Sequence, residues 1–280
     1  MKRVVWLVLL AVLAACTSVE PRVTTTPGGD PLATNVTATP APTPTPSATP
    51  TPTAEPTPTP APLPLAGRVI VVDPGHNKIY NKKNRVKVPA GNGKKKACNS
   101  SGTATNDGWP EHTYNWLQAN ALADELRELG AKVVLTREND SGQGPCVNLR
   151  AQVANDNDAD LIISIHADGS YAKSARGFHV IISTTMVGGD KAEKVSKSLA
   201  EAARDQMEKL TDMPRSTYIG KGTALSPRTD IATLNLSEHP GIMMEMGNMR
   251  NTKDAKLLKS EAFRKAAAAA LANAAVQTLS

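Results

Sequence analysis

The sequence predicts an α/β domain built on a mostly parallel twisted sheet with helices on both faces. Three observations predict it. Five apolar, β-rich runs recur along the chain, helical patterns fill most of the gaps between them, and the segment that holds them, Gly67 to Ser280, is the length of one domain. The runs are Val69–Val72, Lys132–Leu135, Leu161–Ile165, Phe178–Ile182 and Ile242–Met246. Strands separated by helices favour parallel pairing, because only a crossover of that length brings the chain back to run the same way.

The helices follow from spacing and punctuation. From Glu111 to Leu129, Trp116, Ala119, Leu122, Ala123 and Leu126 fall at helical intervals, with Pro110 suited to the start and Gly130 to the stop. A short helix is expected from about Asn148 to Asn155. A longer one spans Asp190 to Leu210, with Asp190 as N-cap, and an alanine-rich one spans Ala255 to Leu279.

Ahead of the domain the chain is of another kind. Met1 to Ala15 reads as an export signal, with Lys2 and Arg3 before the apolar run Val4 to Leu13. That run is too short to span a bilayer as a helix. It ends in "LAAC", which looks like the lipobox of a bacterial lipoprotein and makes Cys16 the expected lipidated first residue. Residues 16–66 are Thr, Pro and Ala; 14 of the 21 prolines lie between Pro21 and Pro64. Such a segment buries too little surface to offset its ordering entropy, and is expected to act as an extended tether reaching on the order of 150 Å. The folded domain is expected at 67–280. The protein is therefore read as exported and held by its lipid at the outer face of the cytoplasmic membrane.

Export also decides how the cysteines are read. Cys98 and Cys146 are the even pair left beside Cys16, and an oxidising compartment favours a disulfide between them. The net charge of +6 comes to +4 without Lys2 and Arg3. Its excess lies in the loop Lys78 to Lys96, which is either a solvated, mobile segment or a surface for acidic envelope polymer or anionic lipid. Nucleic acid is not an expected partner of an exported lipoprotein.

Candidate chemistry sits at the strand ends, where ligands collect in such folds. In "RVIVVDPGHNKIY" the strand runs through Asp73, Pro74 and Gly75 to His76; "LIISIHADGS" places His166 in the same relation to its strand. Glu245 ends the last strand and Glu111 opens the first helix. A carboxylate in a first helical turn is favoured by the dipole whatever its function. Two imidazoles and one carboxylate are the ligand set of a hydrolytic zinc site with a position left for water, and a further carboxylate serves as general base. The pattern alone leaves open which glutamate is which. Asp73 either orients the turn or a ligand, or satisfies turn backbone groups. There is no H-E-x-x-H helix and no G-x-S-x-G elbow, so zincin and acyl-enzyme chemistry have no support.

Taken together, "VIVVDPGHN", the helix-opening Glu111 with its downstream Asn, "VVLTR", "LIISIHAD" and "HPGIMMEMGNMRN" resemble the zinc-dependent N-acetylmuramoyl-L-alanine amidases, the amidase-3 group of cell-wall hydrolases. The resemblance covers nearly all of Arg68 to Ser280. It implies the amidase-3 architecture, one zinc ion held by His76, Glu111 and His166, and Glu245 as the catalytic carboxylate. The implied reaction is hydrolysis of the amide between the lactyl group of N-acetylmuramic acid and the first L-alanine of the stem peptide, in peptidoglycan or a muropeptide, by a monomer. A non-catalytic wall-binding lipoprotein that kept the fold is the alternative, but such a module has no need of Glu245. Zinc amidase action on another acyl-peptide is a third possibility. The chain departs from the family where "HNK" replaces two glycines, where "HADGS" replaces H-x-N-A, and where Asn248 and Arg250 replace an aromatic and a serine; these residues are expected to line the groove. Some relatives carry an inhibitory helix between the second histidine and the catalytic glutamate. Here "LSPRTDIATLNL" reads as the approach to the last strand with no helix to spare, so activity without an activator is expected, under control of the tether and the Lys78–Lys96 loop.

Overall fold

The structure, a computed structural model, describes residues 61–280. The signal, Cys16 and nearly all of the tether lie outside the described residues. The fold takes in slightly more than the expected 67–280: Leu65 is fully buried, and its backbone N–H donates to Leu129 O at 2.9 Å.

Eight strands and six α-helices are present among these residues. They are β1 (Val69–Pro74), β2 (Lys87–Pro89), β3 (Lys95–Ala97), α1 (Glu111–Glu128), β4 (Lys132–Leu135), α2 (Val147–Asp156), β5 (Leu161–Asp168) and β6 (His179–Ser183), followed by α3 (Gly189–Leu210), β7 (Leu225–Arg228), α4 (Ala232–Asn235), β8 (Gly241–Asn248), α5 (Thr252–Lys259) and α6 (Glu261–Leu279). Six strands form one sheet in the order β4-β1-β5-β8-β6-β7. Strand alternation sends Ile70 and Val72 to one face, under α1, α3 and α6, and Val71 to the other, against Ala154 of α2. Helices thus cover both faces. Ala267, Ala268, Ala270, Ala274 and Ala275 of α6 are fully buried and let that helix lie close against α1 and α3.

The sheet is mostly parallel, with one reversal: β6 runs antiparallel to β8 and carries β7 parallel to itself. Only the loop 169–178 joins β5 to β6, too short for the helical crossover that a parallel return needs. Strand β7 lies inside "LSPRTDIATLNL", which is therefore more than the expected approach to the last strand. Its Pro227 is tolerated because the strand is at the sheet's edge. The expected single C-terminal helix is two, because Ser260 caps a new start, its Oγ accepting from Phe263 N–H at 3.4 Å.

The basic loop is not a featureless coil. It holds a 3₁₀ turn capped by Asn81 and the hairpin β2–β3, and the disulfide Cys98–Cys146 fastens its end to the start of α2. That bond closes a loop of 48 positions, for which chain entropy predicts a stabilisation of about 4 kcal/mol. A Cys98→Ala/Cys146→Ala variant is expected to unfold at correspondingly lower denaturant, with the loss read from equilibrium denaturation curves; wild-type stability would show the loop to be held by packing alone.

Candidate active site

His76, Glu111 and His166 arrive from three elements and meet. β1 continues through Asp73 and Pro74, and Gly75 then leads to His76, which lies in the left-handed region (φ 59°), a strained conformation for a residue with a side chain. Glu111 opens α1. His166 lies inside β5, not just beyond it, since that strand continues to Asp168. His76 Nε2 is 3.1 Å from Glu111 Oε1, His166 Nδ1 is 3.0 Å from the same oxygen, and the two ring nitrogens are 3.2 Å apart. Ligand atoms placed tetrahedrally about an ion some 2.0–2.1 Å from each would be about 3.3 Å apart.

The orientation of each donor is set by its neighbours. His76 Nδ1 faces Ser100 O at 3.2 Å, which puts the ring proton there and leaves the Nε2 lone pair turned toward the other donors. The second oxygen of Glu111 accepts from Thr103 N–H at 2.9 Å. Burial alone would raise the Glu111 carboxyl, but the two imidazoles override it and hold it well below the usual range. Burial lowers His166, which favours its neutral, ligating form. Close approach also requires glycine. A Cβ on Gly75 would stand 2.1 Å from His166 Nε2, and one on Gly102 2.8 Å from Glu111 Oε2.

Glu245 pairs with His166 across the β5–β8 ladder, one strand spacing (about 4.8 Å) away. Its Oε2 is buried with no hydrogen-bond partner. Burial, then the carboxylates of Glu111 and Asp168, push its carboxyl well above the usual range. All four residues line one cavity of about 490 Å³, walled on one side by Lys96 and Ala97 of β3 and on another by Ile231–Thr233 at α4. Between His166 and Glu245 the described helices are α3, a 3₁₀ turn and the four-residue α4, so no further helix stands over the site.

The sequence singles out Asp73 but not Arg150 or His179, which also build the site. Asp73 serves neither its own turn nor a ligand directly: its buried carboxylate receives Arg150 Nη1 at 2.5 Å, Thr136 Oγ1 at 2.5 Å and Ser164 Oγ at 2.6 Å. Burial pushes its carboxyl up, and Arg150 with the two hydroxyls more than offsets this, leaving it at about 2. Arg150 is 2% exposed and also donates to Pro74 O and His76 O, each at 2.8 Å. Arg137, of "VVLTR", donates its Nε–H to Pro74 O at 2.9 Å. Two buried guanidiniums therefore hold the His76 turn. The available signal for Arg150 was its place beside Ala151 and Ala154 on the apolar side of α2. His179 pairs with Glu245 from the other side, and burial holds its ring neutral, at about 4.

Residues 70–277 match the Amidase_3 family, described as N-acetylmuramoyl-L-alanine amidase. N-acetylmuramoyl-L-alanine amidase Rv3717 of Mycobacterium tuberculosis is 42% identical over 207 residues, 74% of this chain and 84% of that protein. The crystal structure of the N-acetylmuramyl-L-alanine amidase Ami1 from Mycobacterium smegmatis superposes with a TM-score of 0.72 at 40% identity, covering 77% of this chain and 98% of that one. Ami1 from Mycobacterium abscessus gives 0.73 at 38% identity, covering 77% and 100%. With the match running through nearly the whole α/β domain, the chain belongs to the N-acetylmuramoyl-L-alanine amidase family of peptidoglycan hydrolases.

Proposed function

We propose that this amidase cuts the bond between the lactyl group of N-acetylmuramic acid and L-alanine with one zinc ion held by His76, Glu111 and His166, and with Glu245 as general base. The observation that carries the reading is the triangle of donor atoms, 3.0–3.2 Å on a side, beside the unpartnered oxygen of Glu245. The donor set fits zinc: two imidazole nitrogens and a carboxylate oxygen, with the His76 proton directed elsewhere. When bound, zinc supplies Lewis acidity, polarising the amide carbonyl and making water acidic enough to ionise near neutral pH.

The chain's own residues do the rest. Glu245 takes a proton from the attacking water as the new C–O bond forms, then returns it to the alanine nitrogen as the C–N bond breaks. One group does both because its raised affinity for protons puts it nearer the working pH. Gly75 and Gly102 admit the close packing of the donors, and Arg150 and Arg137 fix the turn that carries His76. Anchoring at the outer face of the cytoplasmic membrane through Cys16 belongs to the same proposal, supported by the "LAAC" pattern; it would confine cutting to wall within reach of the tether.

The test is metal analysis. The purified chain is expected to carry one zinc, and a His76→Ala/His166→Ala variant none. Incubated alone with a soluble muropeptide, the wild type is expected to release the intact peptide, seen by mass spectrometry, and a chelator to stop it. Normal zinc in the double variant would place the ion elsewhere.

A further inference from the structure

A second cavity, of about 600 Å³, opens beside the catalytic one. The two meet along the backbone, since Gly169 lines the first and Ser170 the second. Asn248, which is 1% exposed and ends the strand that carries Glu245, ties residues of the second cavity to that strand. Its side-chain oxygen accepts from Ser170 N–H at 3.1 Å and Arg250 N–H at 3.0 Å, while its amide donates to Ser170 O at 2.9 Å and Ala175 O at 2.8 Å. The pocket is therefore fixed to the catalytic strand.

Its lining is cationic. Lys173, Arg176, Arg250 and Lys253 all contribute, and among the described residues only Arg176 has an acidic partner, the buried Asp254. Arg250 lies over the ring of Tyr171, 4.9 Å from its centroid. Tyr171 is 80% exposed, so its ring is unused by the core and available as a platform. Stacking on a ring holds a guanidinium flat, with its edge free to meet a planar carboxylate. The buried Nε of Arg250 has no acceptor, an uncommon state for such a donor.

We propose that this pocket binds a carboxylate on the peptide half of the substrate, with Arg250 as the principal contact and Lys173 and Lys253 supplying the field. The proposal rests on the amidase reading and deepens it. The peptide is favoured over the glycan because three unpaired cations call for a negative ligand, which neutral sugars do not supply and peptide carboxylates do.

The test is direct binding to the full chain by calorimetry, with a synthetic stem peptide bearing free carboxylates and the same peptide with those carboxylates amidated. The wild type is expected to bind the acid form about tenfold more tightly, as one charge-assisted bidentate contact would give. Arg250→Ala is expected to bring the ratio close to one, and Arg250→Lys to keep part of it. Should Arg250→Ala not fold, the exposed pair Lys173→Ala/Lys253→Ala is expected to reduce the ratio as well. Equal binding of the two peptides by the wild type overturns the proposal. So does a ratio unchanged in the variants, or variants that lose only binding to an anionic wall polymer. Turnover separates the underlying reading: a wild type that binds the acid peptide tightly yet cuts no muropeptide fails as an amidase with the pocket intact, while one that cuts acid and amidated muropeptides equally well fails only in the pocket.

Discussion

Replacing Glu245 by glutamine is expected to lower kcat by about 10²–10⁴-fold, the usual worth of a general base, while zinc content and thermal stability stay near wild type. Glutamine keeps the shape of the side chain and removes only its ability to take a proton. The position tolerates the change because Glu245 supports nothing else through its second oxygen, which is buried without a partner. Burial and the nearby Glu111 and Asp168 carboxylates hold its carboxyl well above the usual range, so removing that group also relieves a crowded set of acids. The pH profile carries a second signature. Activity in the wild type should rise with pH as Glu245 loses its proton, and that acid limb should disappear from the residual rate of the glutamine variant. Wild-type turnover by Glu245→Gln would move the base to another residue, and a variant that loses zinc would make Glu245 a ligand.

The donors of this site were legible because they are local events. A β-branched run that breaks into Asp-Pro-Gly-His announces a strand end, and a histidine there stands out against Val69–Val72. Gly75 was legible as a turn former, though not as the residue whose missing Cβ makes room for His166. What holds the donors was harder to read, because it depends on contacts distant in sequence. Arg150 reaches Asp73 from 77 positions away, and nothing in "NLRAQ" says that its guanidinium is buried. His179 meets Glu245 only because β6 runs back along β8, and that reversal follows from a loop length rather than from the residues of either strand. β7 was hidden by its proline, which reads as a break until the strand is known to be at an edge. The basic hairpin was hidden by charge: lysine-rich sequence suggests solvation, yet a disulfide and a capped turn fix it as a wall of the cavity.

Arg150→Met is expected to be the most damaging single change outside the donors themselves. Removing one partner of a buried ion pair leaves the other charge uncompensated and typically costs about 3–5 kcal/mol, a fall in Tm of roughly 6–20 °C for a domain of this size. Here the abandoned charge is Asp73, 1% exposed, and the carbonyls of Pro74 and His76 lose a donor with it. The His76 turn, strained at φ 59°, would lose the side chain that fixes it, so zinc occupancy should fall too. An Asp73→Asn/Arg150→Met double variant should be less destabilised than the sum of its single changes, because the stranded charge is gone. The dependence on pH has a definite sign. In the wild type Asp73 titrates at about 2, below its unfolded value of about 3.9, so its contribution of about 2 kcal/mol is present above pH 4 and is lost as pH falls toward 2. Without Arg150, burial dominates and the Asp73 carboxyl rises above its unfolded value, so acidification then favours the folded variant through this group. The stability gap between wild type and variant should therefore be widest near neutrality and narrow as pH falls toward 3. Thermal melts of both proteins across that range decide it: a gap that holds constant with pH would mean that Arg150 acts through packing and its carbonyl contacts, and that the Asp73 charge is balanced by the hydroxyls of Thr136 and Ser164.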